Sequence, residues 1–273
     1  MGFNGVLVRG GGDLASGAIA RLVRSGLHVI VFELGAPLLV RRTVCFGDAV
    51  YEGTRTVEGL TAHCVDDLDA AQEIIEQGEI PVLVDPDGNL LKALDPLIVV
   101  DARMEKQPLD CSIDDAPLVI ALGPGYLAGV HAHAIIETNR GHRLGRVYWT
   151  GGAEPNTAEP GSIGSHTHTR VLRAPSNGHV EPETAIGEMI RVGQTIAHVS
   201  GEPVIAPFAG VLRGLIHRNV DVFTGMKIGD LDPRIEPENC FTISDKSLAV
   251  GGGVLEAVMT RGEIRARLGW SER

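Results

Sequence analysis

No stretch of the 273-residue chain approaches the roughly 20 consecutive apolar residues that a bilayer-spanning helix needs. No membrane partner is therefore expected. The amino terminus, MGFNGVLVRG, lacks a basic segment followed by an apolar one and a cleavage site. No secretion signal is read from it, and a cytoplasmic location is expected. Positive charge is also short, with 24 Lys and Arg against 35 Asp and Glu and a formal net charge of −11. Nonspecific nucleic-acid binding needs a basic face, so no nucleic-acid partner is expected. Cysteine is scarce and scattered: Cys45, Cys64, Cys111 and Cys240 form no CxxC pair. That argues against a zinc ribbon, an iron–sulfur cluster or a redox dithiol, and it fits a reducing compartment. Also missing are a serine–histidine–acid order, a P-loop lysine motif and paired glycosidase carboxylates, so no chemical step is visible in the residues.

What is present describes a globular chain large enough for more than one core, with 44% hydrophobic and 22% charged residues. Its 35 glycines and 15 prolines imply many tight turns and hence many short strands, above all in the second half. Apolar runs at residues 6–9, 29–32, 80–84, 97–100 and 118–121 each end in a polar or glycine-rich turn. Helical spacing appears at 15–25, with Ile19, Leu22 and Val23 on one face, and at 66–77, with Leu68, Ala71, Ile74 and Ile75. Continuous apolar strands alternating with helices predict an α/β fold, a Rossmann-like parallel sheet over residues 1–150. Runs at 131–136 and 146–149 are expected to extend its edge.

Residues 151–170 read as a linker. An internal repeat follows, in which APSNG begins at Ala174 and APFAG at Ala206, 32 positions on. The same offset relates Pro175 to Pro207, Gly178 to Gly210, Ile190 to Val222, Gly193 to Gly225 and Ile196 to Ile228. Two equal halves predict a small pseudo-symmetric β barrel over 171–235, resembling the lipoyl/biotinyl barrel-sandwich fold. The connection between the halves, HVSGEPVIAP, has no lysine to carry a prosthetic group. A structural or docking role is therefore expected of the barrel. In the tail, 236–273, Val254, Leu255, Val258, Met259, Ile264 and Leu268 predict a helix that packs back on the sheet domain.

The strongest local signal is Gly10-Gly11-Gly12-Asp13-Leu14-Ala15, a G-x-G-x-x-A pattern after a strand and before a helix. Its glycines allow backbone to approach an anion, and the helix start near Ala15 offers free N–H groups. Glu33, at the end of the second strand, stands where a carboxylate accepts from ribose hydroxyls. Asp13 would repel a diphosphate and is expected to cap the helix instead. Arg41 and Arg42 suit a second phosphate or a carboxylate, or are a solvated pair at a helix start. If the strand order is that of a dinucleotide-binding sheet, Asp101 and Arg103 face the glycine loop across the crevice, with Gly123-Pro124-Gly125 as a second anion-binding turn nearby. Lys106 either reaches in or lies on the surface. Cys45, beside the arginines, reads either as a thiol of lowered pKa, fit to accept sulfur or selenium or to act as a nucleophile, or as a small buried apolar residue. His131, His133, His142, His166 and His168 lack a motif-spaced third ligand, and no metal site is expected.

The motifs GGGDLASGAIARL, PLLVRRTVCFGDAVYEG, VDARMEK, LGPGYLAGVHAHAIIETNRGHRLGRVYW, IGEMIRVGQTIAHV, LRGLIHRNVDVFTGMKIGDLDPR and TISDKSLAVGGGVLEA span nearly the whole chain. Together they resemble the selenium-dependent molybdenum hydroxylase accessory protein family, YqeB type. The sheet domain is similar to that of the xanthine dehydrogenase accessory (XdhC-like) proteins, which help to insert or modify the molybdenum cofactor. The stretch GSHTHTRVLRAP departs from the pattern, carrying His166 and His168 where a more charged segment is expected. The resemblance implies a maturation protein whose cargo is the molybdenum cofactor in its cytosine dinucleotide form. The partners it implies are a molybdenum hydroxylase client and a selenium or sulfur donor protein. It assigns no catalytic residue. Two alternatives stay open: an NAD-dependent oxidoreductase, since Glu33 favours NAD, and a ligand-free scaffold between donor and client.

Overall fold

A computed structural model describes residues 2–104, 110–155 and 169–270. Lys106, His166 and His168 lie outside the described residues. The strands are β1 (Val6–Arg9), β2 (Val29–Glu33), β3 (Thr54–Val57), β4 (Leu60–Val65), β5 (Ile80–Val84), β6 (Ile98–Asp101), β7 (Leu118–Leu122), β8 (Ala134–Ile136), β9 (Val147–Tyr148), β10 (Val171–Arg173), β11 (Val180–Pro182), β12 (Met189–Ile190), β13 (Thr195–Val199), β14 (Glu202–Ile205), β15 (Gly210–Leu215) and β16 (Lys227–Asp232). The helices are α1 (Asp13–Arg24), α2 (Ala49–Glu52), α3 (Leu68–Glu76), α4 (Leu91–Leu94), α5 (Asp245–Thr260) and α6 (Gly262–Arg267).

The first nine strands form one sheet in the order β3-β4-β5-β2-β1-β6-β7-β8-β9. Pairing is parallel from β4 to β8, and β3 and β9 add antiparallel edges. The four residues of β1, VLVR, show why the central strands carry no alternation: Val6 and Val8 face one core, Leu7 the other. A parallel strand covered on both faces must be apolar throughout. Helices α1 and α5 cover the first face. Residues Ala71 and Ile75 of α3, with Cys111 and Tyr126, cover the second. Helix α3 begins where the Asp67 side chain accepts from the Ala70 amide, which satisfies one orphan donor of the first turn.

The chain leaves β1 toward the first face through α1, whereas Cys111, which follows β6, is buried on the second. The two connections diverge between β1 and β6, which opens a crevice at the carboxyl ends of these strands, as the dinucleotide-binding strand order requires. The hairpin β3–β4 extends the far edge through Glu58 and Gly59, both at positive φ. The tail forms two helices where one continuous pattern was expected, because Arg261 adopts an extended conformation between them. Helix α5 lies across α1, and both contribute to one core. No described helix is long and apolar enough to cross a membrane.

The repeat folds into two small antiparallel sheets, β10-β16-β15-β12 and β11-β13-β14, over one core that includes Leu172, Val180, Ile196, Leu212, Ile228 and Leu231. Strand pairing among the described residues leaves these as two sheets, where a barrel was expected. Their hydrogen bonds nevertheless repeat at the 32-residue offset. Ala174 N donates to Met226 O at 2.9 Å and Gly225 N to Ala174 O at 2.8 Å. Their counterparts, Ala206 N to Gln194 O and Gly193 N to Ala206 O, both measure 2.9 Å. Gly178 pairs with Val222 as Gly210 pairs with Ile190. Each half of the repeat is thus completed by strand contacts from the other, and Gly193 and Gly225 occupy equivalent turns at φ 79° and 83°.

This unit is fastened to the sheet unit along one seam. Arg42 Nε donates to Leu215 O at 2.9 Å and Tyr51 stacks on His217 with ring centroids 4.0 Å apart, while Thr43 Oγ1 donates to Cys240 O of the tail at 2.5 Å.

Candidate functional site

Between the carboxyl ends of β1, β2, β5 and β6 lies a cleft of about 370 Å³. Gly10, Gly12, Asp13 and Leu14 form one wall, and Arg9, Ala102, Arg103 and Met104 another. Phe32, Glu33, Leu34, Leu38, Leu39, Asp85 and Pro86 complete it. The volume falls within the range of small-molecule sites. Leu34, Leu38 and Met104 are exposed and give the cleft an apolar rim.

The glycine loop is built by backbone contact. Gly10 stands at φ 92°, and a Cβ there would come within 3.2 Å of Arg103 Cα across the crevice. A Cβ on Gly11 would lie 2.6 Å from Gly47 N, so the loop is wedged between β6 and the segment after β2. Gly12 precedes α1 with extended backbone and no side-chain cap. The first-turn amides of Asp13, Leu14 and Ala15 therefore keep the helix's positive end directed at the cleft.

Glu33 does not reach outward to a sugar. Its Oε2 accepts from Gly11 N at 2.6 Å and its Oε1 from Leu34 N at 2.8 Å. Burial pushes its pKa up, and the two amides pull it back. The carboxylate first of all holds the glycine loop in shape. One of the loop amides expected to meet a diphosphate, that of Gly11, is occupied by the residue expected to meet the ribose.

Asp13 does not cap α1. It accepts from Arg41 Nη1 and from Ser247 Oγ of α5, both at 2.8 Å. Arg41 is buried, with further donation to Asn239 O and Thr242 O. Arg42 lies by Leu215 O, with Asp48 and Glu52 as its carboxylate neighbours. Neither arginine lines the cleft, because both guanidinium groups are consumed in fastening the second unit and the tail to the glycine-loop segment. Gly123 and Gly125 have positive φ, but the Gly123 amide donates to Ile136 O at 2.9 Å, so it serves the sheet and not an anion. Met104 stands between this turn and the cleft.

Cys45 is buried, with Sγ 3.1 Å from Arg41 O. Burial raises its pKa well above the usual thiol value, and Asp13 adds to this more than Arg41 offsets. It is a packed thiol, opposite to the activated thiolate its arginine neighbours imply. His131 Nδ1 and His133 Nδ1 accept from the Leu127 and Val119 amides. Among the described residues no group of three or more His, Cys, Asp or Glu could hold a metal ion.

The charged cleft residue that sequence reasoning missed with most consequence is Arg9. Arg9 ends β1 directly opposite Asp101 in the ladder. Its side chain is 3% exposed and donates to Asp110 Oδ2 at 2.6 Å. Arg103 makes a two-point contact with the fully buried Asp101, at 3.1 and 2.5 Å, and donates to Asp110 Oδ1 at 2.6 Å. An arginine closing an otherwise apolar buried strand was the available signal.

No family model matches this chain. The chain is 47% identical over 254 residues to the "Uncharacterized protein YqeB" of Escherichia coli (strain K12), an alignment covering 93% of this chain and 47% of YqeB. The chain thus spans about half the length of that relative. The likeness supports the kinship with the YqeB type that the motifs imply. Among solved structures, an aspartoacylase family protein from Mesorhizobium loti is 13% identical, with 80% of this chain and 61% of that one covered and a TM-score of 0.25. A succinylglutamate desuccinylase/aspartoacylase from Rhodobacter sphaeroides is 12% identical, with 86% and 87% covered and a TM-score of 0.25. Likenesses this low carry no argument about fold or activity.

Proposed function

We propose that the protein is a maturation factor for a selenium-dependent molybdenum hydroxylase, binding a dinucleotide-like molybdenum cofactor and assisting its modification or insertion. The observation that carries this reading is the cleft at the divergence of β1 and β6, bounded by the glycine loop, the start of α1, Arg9 and Arg103. Helix-start amides and guanidinium groups suit a diphosphate. The apolar wall of Leu34, Leu38, Leu39 and Pro86 suits a flat ring or a client surface. The cofactor supplies the molybdenum centre as cargo. The chain's residues hold it, orient it and shield it. The sequence resemblance to cofactor-maturation proteins favours this cargo over a nicotinamide. The second unit, bound along one face of the glycine-loop segment, is proposed as the surface that meets the client or the selenium donor.

The test is a thermal shift with purified molybdopterin cytosine dinucleotide. A ligand at about 100 times its Kd stabilises by about 2.7 kcal/mol, which for a chain of this size raises Tm by roughly 5–10 °C. Gly12→Val should abolish the shift and keep the fold, since a Cβ at Gly12 meets only Leu39 Cδ2, at 3.7 Å. A shift with NADH and none with the cytosine dinucleotide would instead identify an NAD-dependent oxidoreductase. No shift with either would leave the scaffold.

A further inference from the structure

Arg9 and Arg103 direct one guanidinium N–H each, at 2.6 Å, to opposite oxygens of the same carboxylate, that of Asp110. The two carboxylates around these arginines are not equivalent. Asp101 is fully buried, sits in β6 opposite Arg9, and grips Arg103 at two points. It belongs to the sheet and cannot leave. Asp110 lies outside any strand or helix, and its side chain is 47% exposed. Hydrogen bonds from the two arginines outweigh the effect of burial and hold its pKa down at about 2, so it is charged at any physiological pH.

Both arginines line the cleft, and Arg103 lies against Gly10 of the glycine loop. Two guanidinium donors converging on paired oxygens form a grip that takes a phosphoryl group as readily as a carboxylate. The other acid near this edge is not a competitor for the same donors. Both oxygens of Asp85 accept backbone amides, from Asn89 at 2.9 Å and Leu90 at 2.8 Å. We propose that Arg9 and Arg103 are the phosphoryl grip of the cleft, and that Asp110 is an internal competitor occupying the place of the ligand's oxyanion until a diphosphate displaces it. This rests on the cofactor-carrier reading and deepens it: the protein recognises its cargo by the diphosphate, and its affinity is set by how tightly its own carboxylate holds the two arginines.

The experiment is calorimetric titration with inorganic pyrophosphate of the wild-type chain, Asp110→Asn, Asp114→Asn and Asp110→Asn/Arg103→Gln. Removing the competitor should tighten pyrophosphate binding by about ten-fold or more, the scale of one charge-assisted hydrogen bond. Asp114→Asn, which removes the same charge from the same connection, should change it little. Adding Arg103→Gln should erase the gain. Asp110 is half exposed and its asparagine variant should fold; Asp110→Ser repeats the test with a shorter side chain. Equal affinity in wild type and Asp110→Asn, an equal gain with Asp114→Asn, or a gain that survives Arg103→Gln would overturn the proposal. If the cytosine dinucleotide still raises Tm while Asp110→Asn changes nothing, this inference falls and the carrier reading stands. If no variant binds any diphosphate, both fall.

Discussion

Helix α5 carries three consecutive glycines, Gly251, Gly252 and Gly253, and alanine at two of them should have opposite effects. Gly→Ala within a helix removes backbone freedom from the unfolded chain and stabilises by about 0.5–1 kcal/mol wherever the methyl group has room. At Gly252 it has room, since nothing lies within 4 Å of an added Cβ. At Gly251 the Cβ would stand 2.6 Å from the carbonyl carbon of Gly17 and 2.9 Å from Ala18 N, and would overlap the Gly17 carbonyl oxygen. These are backbone atoms of α1 and cannot swing away as a side chain would. The reciprocal clash exists at Gly17, where a Cβ would lie 2.8 Å from Ser247 Cβ and overlap the Ser247 carbonyl. Relief requires the two helices to separate. Such overpacking costs about 1–3 kcal/mol or more, which exceeds the propensity gain. Calorimetric Tm should rise by roughly 1–4 °C for Gly252→Ala and fall by several degrees for Gly251→Ala, at about 2–4 °C per kcal/mol. Shifts of the same sign would refute the close helix crossing and with it the placement of α5 on the sheet.

Three further outcomes follow from buried groups. Native protein treated with iodoacetamide at about pH 8 should be labelled first at Cys64, which is half-buried, with Cys45 unmodified until the chain is unfolded; peptide mass spectrometry reads both. Arg41→Met should lower stability by about 1–3 kcal/mol in urea unfolding, less than the 3–5 of a fully buried pair because Asp13 is a third exposed, and it should do so without altering pyrophosphate affinity. Burial, then Arg42, holds the His217 pKa below its usual value, with Asp48 and Glu52 opposing and Arg218 reinforcing the shift. The unfolded chain therefore binds that proton more readily, and this contribution to stability is lost as pH falls below about 6.5, the unfolded value. A plot of Tm against pH should show that loss in the wild type, and a smaller one in His217→Gln.

The sheet was legible because its central strands are apolar on both faces, a pattern that few alternatives share. The hairpin β3–β4 was missed although its signal is present. Thr54-Arg55-Thr56-Val57 and Leu60-Thr61-Ala62-His63 flank Glu58-Gly59, the two-residue turn of positive φ that antiparallel hairpins favour. The repeat was legible at the level of its hydrogen bonds, since one offset relates Ala174 to Ala206 and also their backbone partners. Division of its strands between two sheets was not, because the offset fixes equivalence and not closure.

The site shows where residue type stops being informative. Arg41, Arg42, Arg9 and Arg103 are chemically alike; sequence offered Arg41 and Arg42 for a second phosphate or a carboxylate and Arg103 for the facing side of the crevice, and passed over Arg9, the residue immediately before Gly10. In space, Arg41 and Arg42 follow β2 on the side where the second unit and the tail arrive. They meet the Asn239, Thr242 and Leu215 carbonyls and the carboxylate of Asp13, so their charge is spent on cohesion. Arg9 and Arg103 end or follow the two strands between which the connections diverge, and the same donor geometry there faces a cleft. Asp13, read alone, is a charge misplaced beside a diphosphate. With Arg41 on one oxygen and Ser247 on the other, it becomes the joint that couples the helix start to α5 and, through Arg41, to the Asn239 and Thr242 carbonyls of the tail.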